Sequence, residues 1–226
     1  LCAQVERRFG QRVVITAGGT HEALDPVRFI GNRSSGKMGV ALAEAALDLG
    51  AEVVLIHGPL AVSLPWGVET VAVESAQQMC DAVLAQQPTT DVLIGAAAVA
   101  DFRPAAVAEQ KIKKQPGGGG LTIELVRTPD ILTMVAAQRA LSGRPRVTVG
   151  FAAETENLHA NAQAKLAAKG MNLIVANDVT ASDAGFGVDT NRVTLLTADS
   201  PPEPLPLLSK AAVAAQIMQR IAALLS

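Results

Sequence analysis

Tyrosine is absent from this chain, tryptophan occurs once, and aromatic residues make up only 3% of it. Platforms for single-stranded nucleic acid stack bases on aromatic side chains, so that function is disfavoured. Charge points the same way. Nineteen Lys and Arg against 21 Asp and Glu leave a net charge of −2, without the excess of basic residues that phosphate backbones demand. There are two cysteines, Cys2 and Cys80, too few for a disulfide framework. Cys80 lies in an apolar-periodic stretch and is expected in the core. The three histidines, His21, His57 and His159, are scattered and have no metal-ligand spacing. No apolar run approaches the ~18 residues of a membrane span, and no basic-then-apolar leader opens the chain. The expectation is a cytoplasmic, reduced protein that neither crosses a membrane nor binds nucleic acid. Leu1 opens a helix-like fragment that runs straight into a strand, as expected of a domain cut from a longer polypeptide or of a processed chain.

What is present is a large apolar fraction, 49%, in short runs broken by Gly, Pro or charge. Residues 12–17 form a β-branched run ending at Gly18-Gly19, which predicts a buried parallel strand feeding a loop. Helical spacing over 38–49 stops at Gly50. Further strands are expected at 52–57, 69–74, 91–98, 121–126, 146–150, 172–176 and 192–197. Further helices are expected at 75–87, 129–139, 156–169 and 210–225. Strands alternating with helices predict an α/β fold: a Rossmann-like, doubly wound, mostly parallel sheet covered by helices on both faces. Residues 1–226 read as a single nucleotide-binding domain. Two stretches, near 101–126 and 177–200, break the alternation and read as hairpin arms or flaps suited to dimer contact. The Gly117–Gly120 run in the first predicts a mobile flap.

In such sheets ligands sit at the carboxyl ends of the strands. The segments leaving those ends here are rich in small residues: 16–20 (TAGGT), 95–101 (GAAAVAD), 150–154 (GFAAE) and 176–178 (AND). Small residues let a ligand approach backbone N–H groups closely, although tight turn packing alone would also use them. The dinucleotide fingerprint G-x-G-x-x-G does not follow the first strand, and the second ends in Ile56-His57-Gly58 with no acid for a ribose. A nicotinamide-dependent reductase is therefore disfavoured. Residues 31–37 (GNRSSGK) match the outline of a P-loop, but Met38 replaces the Ser or Thr that holds Mg2+, and the segment follows a long loop instead of a strand. The segment can still be an anion site at a helix start, with Ser35 as N-cap.

Arg28, Arg33, Lys37, Lys111, Lys113, Lys114, Arg127, Lys165 and Lys169 fall in or near these loops. Cations focused on one cleft in a near-neutral protein imply a polyanionic ligand. Lys165 and Lys169 share a helix face, where a solvated helix end is the plain alternative. Lysines 111, 113 and 114 would equally suit a protected strand edge. No Ser/His/Asp triad or close carboxylate pair points to hydrolysis. Nucleotidyl or phosphoryl transfer, where catalysis is positioning and charge stabilisation, fits better.

Residues 25–39 (DPVRFIGNRSSGKMG), 97–103 (AAVADFR), 111–114 (KIKK), 150–155 (GFAAET) and 176–178 together resemble, in order, the signature of bacterial phosphopantothenate–cysteine ligase. That enzyme is the synthetase half of the bifunctional coenzyme A biosynthesis flavoprotein. The resemblance implies a two-step reaction. CTP activates the carboxylate of 4′-phosphopantothenate as an acyl-cytidylate, and the amine of L-cysteine then displaces CMP. It implies catalytic roles for Asn32, Lys111 and Arg28. Lys111 would meet the triphosphate. Asn32 would hold the acyl-cytidylate, and Arg28 would help to position the phosphopantothenate. Gly95, Ala96, Ala97 and Asp101 would contact the nucleotide. Arg127, Thr128, Pro129, Asp130, Phe151, Lys165 and Lys169 would complete its site, with Gly18 and Gly19 offering amides to the phosphates. Thr128 stands where relatives also use Asn. The resemblance further implies Mg2+ with ligands unassigned, no flavin in this half, a homodimer, and fusion to an N-terminal FMN-dependent decarboxylase. CTP in place of ATP comes from the resemblance alone. The readings in competition are a non-catalytic nucleotide-binding module and, more remotely, an NAD(P)-dependent reductase.

Overall fold

The computed structural model describes residues 9–113, 120–154, 158–178 and 187–226. Strand β1 (Arg12–Ala17) is followed by a small hairpin, β2 (His21–Ala23) and β3 (Phe29–Gly31), and by helix α1 (Lys37–Asp48). Next come β4 (Glu52–His57), β5 (Glu69–Ala72), α2 (Ala76–Gln86) and β6 (Val92–Gly95). A second small hairpin, β7 (Phe102–Pro104) with β8 (Leu125–Arg127), precedes α3 (Ile131–Ser142). The chain continues through β9 (Val147–Glu154), α4 (Leu158–Ala168) and β10 (Leu173–Asp178). It closes with the short β11 (Thr190–Asn191), β12 (Val193–Leu196), β13 (Glu203–Pro204), β14 (Leu208–Ser209) and helix α5 (Lys210–Leu225).

Eight strands form one sheet in the order β13-β12-β10-β9-β6-β1-β4-β5. From β9 and β10 to β5 all pairings are parallel; β12 joins β10 antiparallel. The period of two decides which helix each side chain meets. Val13, Ile15 and Ala17 pack with α1 and α5, while Val14 packs with α2 and α3 on the other face. Leu166 of α4 joins Ile174 and Ala176 in a third cluster. Strands buried on both faces read as continuous apolar runs, which is why they were legible. Cys80 lies in the α2 cluster as expected, and burial pushes its thiol up. Among the described residues no helix is long and apolar enough to cross a membrane.

Two expectations change. The second excursion is only partly one, because β12 belongs to the main sheet. The segment before Asn32 is not a plain long loop. It folds as the β2–β3 hairpin, with Glu22 pairing Ile30. Lys114 and Gly117 to Gly119 lie outside the described residues.

Candidate functional site

The order in which strands are added reverses at β1, which has β4 on one side and β6 on the other. The crevice beyond the carboxyl ends of β1 and β6 is a topological switch point, where α/β sheets bind ligands. Thr16 pairs with Gly95 there, and both line a cavity of about 610 Å3. That volume lies in the range of small-molecule sites.

The loop 95–101 forms the middle of the cavity wall, and its backbone is fixed from several directions. Thr16 and Thr20 hydroxyls accept from the N–H groups of Ala97 (3.2 Å) and Ala100 (2.9 Å). Thr128 donates its hydroxyl to the Ala100 carbonyl at 2.5 Å, and its N–H bonds the Asp101 carbonyl at 3.0 Å. Thr128 thus has a definite side-chain task in holding this loop. Asn32 donates its side-chain amide to the carbonyls of Ala98 (3.2 Å) and Val99 (3.1 Å). A loop of small residues so restrained offers a fixed backbone surface to a ligand.

The cavity lining includes Asn32, Gly95, Ala96, Ala97, Asp101, Arg127, Thr128, Pro129, Asp130, Phe151, Lys165 and Lys169. Asp130 caps α3, accepting from the Thr133 N–H at 3.1 Å, and its other oxygen lies 3.0 Å from Lys169 Nζ. Burial would raise the Asp130 carboxyl, but the bonds from Lys169 and Thr133 outweigh it and hold the acid below its ordinary range. Lys169 is therefore a cation already balanced by an anion before any ligand arrives.

Four expected residues stand outside the lining. Gly18, with φ 79°, packs under the 58–60 turn and gives its carbonyl to the Ala98 N–H at 2.8 Å. A Cβ on Gly19 would lie 2.9 Å from the Asn32 carbonyl. Both glycines adjoin the cavity loop at Ala98, Gly18 through that bond and Gly19 through a parallel bridge. Arg28 is bound to Asp25 and to the Ile112 carbonyl at the tip of the β2–β3 hairpin. Lys111 is exposed on the segment crossing that tip.

The P-loop outline resolves differently from expectation. Ser35 is not the N-cap of α1. That position is Gly36, left-handed at φ 78°, with no side-chain cap. That positive φ is what favours glycine at the turn, with Leu60 Cδ2 packed where a Cβ would point. By contrast α2, α3 and α5 carry side-chain caps from Ser75, Asp130 and Ser209. The first amides of α1 are therefore left without a side-chain acceptor at the cavity edge. Lys37 turns away from a P-loop geometry to bond Asp189 (2.6 Å) and the Gly187 carbonyl (2.9 Å).

Sequence reasoning missed Asn191 and Lys210, which line the cavity on the α1 and α5 face together with Lys37 and Asn177. Lys210 is buried, donates to the Val188 carbonyl, and its ammonium is disfavoured by desolvation and by Lys37, with Asp189 opposing. Among the described residues Asn177 Oδ1 is buried without a hydrogen-bond partner. The segment 176–178 had been singled out, but nothing in the sequence said which face Asn177 takes.

The chain matches the family described as DNA/pantothenate metabolism flavoprotein C-terminal domain over residues 9–225. It is 51% identical over 216 residues to the coenzyme A biosynthesis bifunctional protein CoaBC of Bacillus subtilis, covering 95% of this chain and 52% of that protein. It is 49% identical over 224 residues to CoaBC of Mycobacterium tuberculosis, covering 96% and 53%. The chain thus spans about half the length of these curated relatives. The crystal structure of the C-terminal domain of a CoaBC superposes with a TM-score of 0.81 at 43% identity, covering 97% of both chains. A Cab2 mutant in complex with phosphopantothenate-cysteine has the same fold, with a TM-score of 0.75 at 17% identity, covering 95% of this chain and 87% of that one. The resemblance carried by the motifs is borne out: the chain belongs to the DNA/pantothenate metabolism flavoprotein C-terminal domain family, the C-terminal half of the coenzyme A biosynthesis bifunctional proteins.

Proposed function

We propose that this domain joins 4′-phosphopantothenate to L-cysteine at the cavity described, with CTP as the activating nucleotide. One observation carries the reading. Residues far apart in sequence, from Asn32 through 95–101 and 127–130 to Phe151, Lys165 and Lys169, converge on one cavity at the switch point. They do so in a chain whose relatives are named for coenzyme A biosynthesis.

A carboxylate resists amine attack because its leaving group would be an oxide. In the first step its oxygen attacks the α-phosphorus of CTP, and pyrophosphate leaves with the bond electrons. In the second the cysteine nitrogen attacks the acyl carbon, CMP leaves, and the ammonium proton passes to solvent. The protein's part is positioning and charge stabilisation. The fixed 95–101 loop would orient the nucleotide through its backbone. Lys165 and Lys169 would meet its phosphates or base edge, and Lys111 would balance charge as the cytidylate forms. Asn32 would hold the acyl-cytidylate beside that loop, with Arg28 near the phosphopantothenate arm. Among the described residues no three acidic, His or Cys side chains converge to cage a metal. Mg2+ would therefore be carried mainly by the triphosphate and water, its usual mode with nucleotides.

The two hairpins pack side by side and expose Val27, Phe29, Phe102 and Leu125. Such apolar exposure supports a homodimer through these arms. A full-length cytoplasmic protein would add an FMN-dependent decarboxylase to this half, which itself needs no flavin.

The test mixes the protein with Mg2+, 4′-phosphopantothenate and either CTP or ATP, and follows pyrophosphate with and without cysteine. Release with CTP, and amide product only with cysteine, is expected. No pyrophosphate with any nucleotide would leave the non-catalytic module as the better reading.

A further inference from the structure

Asp25 lies at the tip of the β2–β3 hairpin, 3% exposed. Its carboxylate accepts five hydrogen bonds. Oδ1 takes the N–H groups of Val27 and Arg28, each at 2.9 Å. Oδ2 takes Arg28 Nε at 2.9 Å, Arg28 Nη2, and the N–H of Ile112 at 3.1 Å. Arg28 Nη2 also donates to the Ile112 carbonyl at 2.8 Å. Both backbone polar groups of Ile112 are therefore held by one ion pair more than 80 residues away in sequence. The Ala108 N–H adds a bond to the Leu24 carbonyl at 3.0 Å.

The Val27 and Arg28 amide bonds make an ordinary Asx turn, and a turn alone would explain them. It does not explain why Oδ2 and the guanidinium also grip Ile112. Lys111, the residue before, has an exposed side chain without a bond among the described residues. Its place is set by its backbone, which is fixed on one side at Ile112. The same hairpin continues through β3 to Asn32, which grips the cavity loop.

We infer that Asp25, acting through Arg28, is a positioning residue for Lys111, anchoring the Lys111 segment to the hairpin that also carries Asn32. This rests on the proposed role of Lys111 in cytidylate formation. The Arg28 guanidinium, helped by the three N–H donors and against burial, holds the Asp25 carboxyl well below the usual range, so the anchor stays ionised at working pH. In effect Arg28 serves the reaction by holding a segment as well as by any contact with substrate.

The test uses Asp25→Asn, which keeps the shape but replaces an acceptor by a donor facing the Ile112 N–H. Arg28→Lys is the second variant, sparing the local turn while losing the guanidinium bridge. Hydrogen exchange should speed up at Ile112 in both variants, with amides of β1 and β6 unchanged. In pyrophosphate release Asp25→Asn should lower kcat by about 10²-fold, the order of loss that a misplacement near 1 Å produces. In a Lys111→Ala background the same substitution should change kcat little, because the residue it positions is gone. Unchanged exchange at Ile112 in both variants would overturn the anchor. Full multiplication of the Asp25→Asn and Lys111→Ala effects would overturn the link to Lys111. A wild-type domain that releases no pyrophosphate would sink the ligase reading instead, and the exchange result would still decide the anchor.

Discussion

Asn32 Nδ2 lies 3.2 Å from the carbonyl oxygen of Ala98, joining the segment after the first hairpin to the loop that forms the cavity wall. With its second bond to Val99, the side chain spans two successive carbonyls. Asn32→Ala removes both and leaves the loop free to shift. We expect slow handling of the acyl-cytidylate, seen as pyrophosphate release outpacing amide formation. Normal amide formation at saturating substrates would refute the assignment.

Lys111→Ala tests a different step. The side chain is exposed. Far-UV circular dichroism and the unfolding midpoint should match wild type. Pyrophosphate release should fall by about 10²–10³-fold, as for loss of a contact made to developing charge. An unfolded variant would make the position structural.

Asp25, Asp130 and Asp189 are all held below the ordinary carboxylate value of about 3.9 by their partners. For Asp189 the hydrogen bond from Lys37 is the main cause. A group whose folded-state value is depressed contributes stability that is complete above its unfolded value and is lost as pH falls through the folded one. Urea midpoints should thus fall on acidification below about pH 4. Asp25→Asn should lie below wild type at neutral pH, and the two curves should converge at low pH. A constant gap down to pH 2 would contradict the ionised anchor.

Gly39 faces β1 so closely that an added Cβ would sit 2.4 Å from Ala17 Cβ and 3.2 Å from the Thr16 carbonyl. Gly39→Val must push α1 off the sheet beneath the cavity. The expected cost is about 1–3 kcal/mol in chemical unfolding, typical of overpacking. A variant as stable as wild type would show that α1 can shift freely.

Asn177 offers the opposite trade. Replacing a buried acceptor that has no partner with an apolar side chain costs the empty protein little and can stabilise it. Asn177→Leu should melt no lower than wild type, while the rise in Tm produced by CTP or 4′-phosphopantothenate shrinks. A lower Tm with undiminished ligand shifts would make Asn177 a structural residue.

The sheet was legible because its central strands are β-branched runs buried on both faces, and Gly50 and Gly170 mark helix ends by positive φ. The β2–β3 hairpin was not. Its strands are three residues each, without alternation, and Asp25 at its tip is met by Ile112 from far along the sequence. Serine is a common cap, which made Ser35 the expectation; the left-handed backbone at Gly36 is what favours glycine at the cap position instead. For the site, the motif loops after β6 and before α3 were visible as small-residue and Thr-Pro-Asp segments. The opposite wall was hidden because Lys210 and Asn191 come from elements that carry no ligand motif and reach the cavity only through tertiary folding.

Lys210 opens helix α5 and Thr16 stands near the end of the first strand, yet both face one cavity. A nascent chain still lacking residues 210–225 therefore lacks one wall residue of the cavity, and a ligand that needs Lys210 would stabilise the fold only once α5 is made.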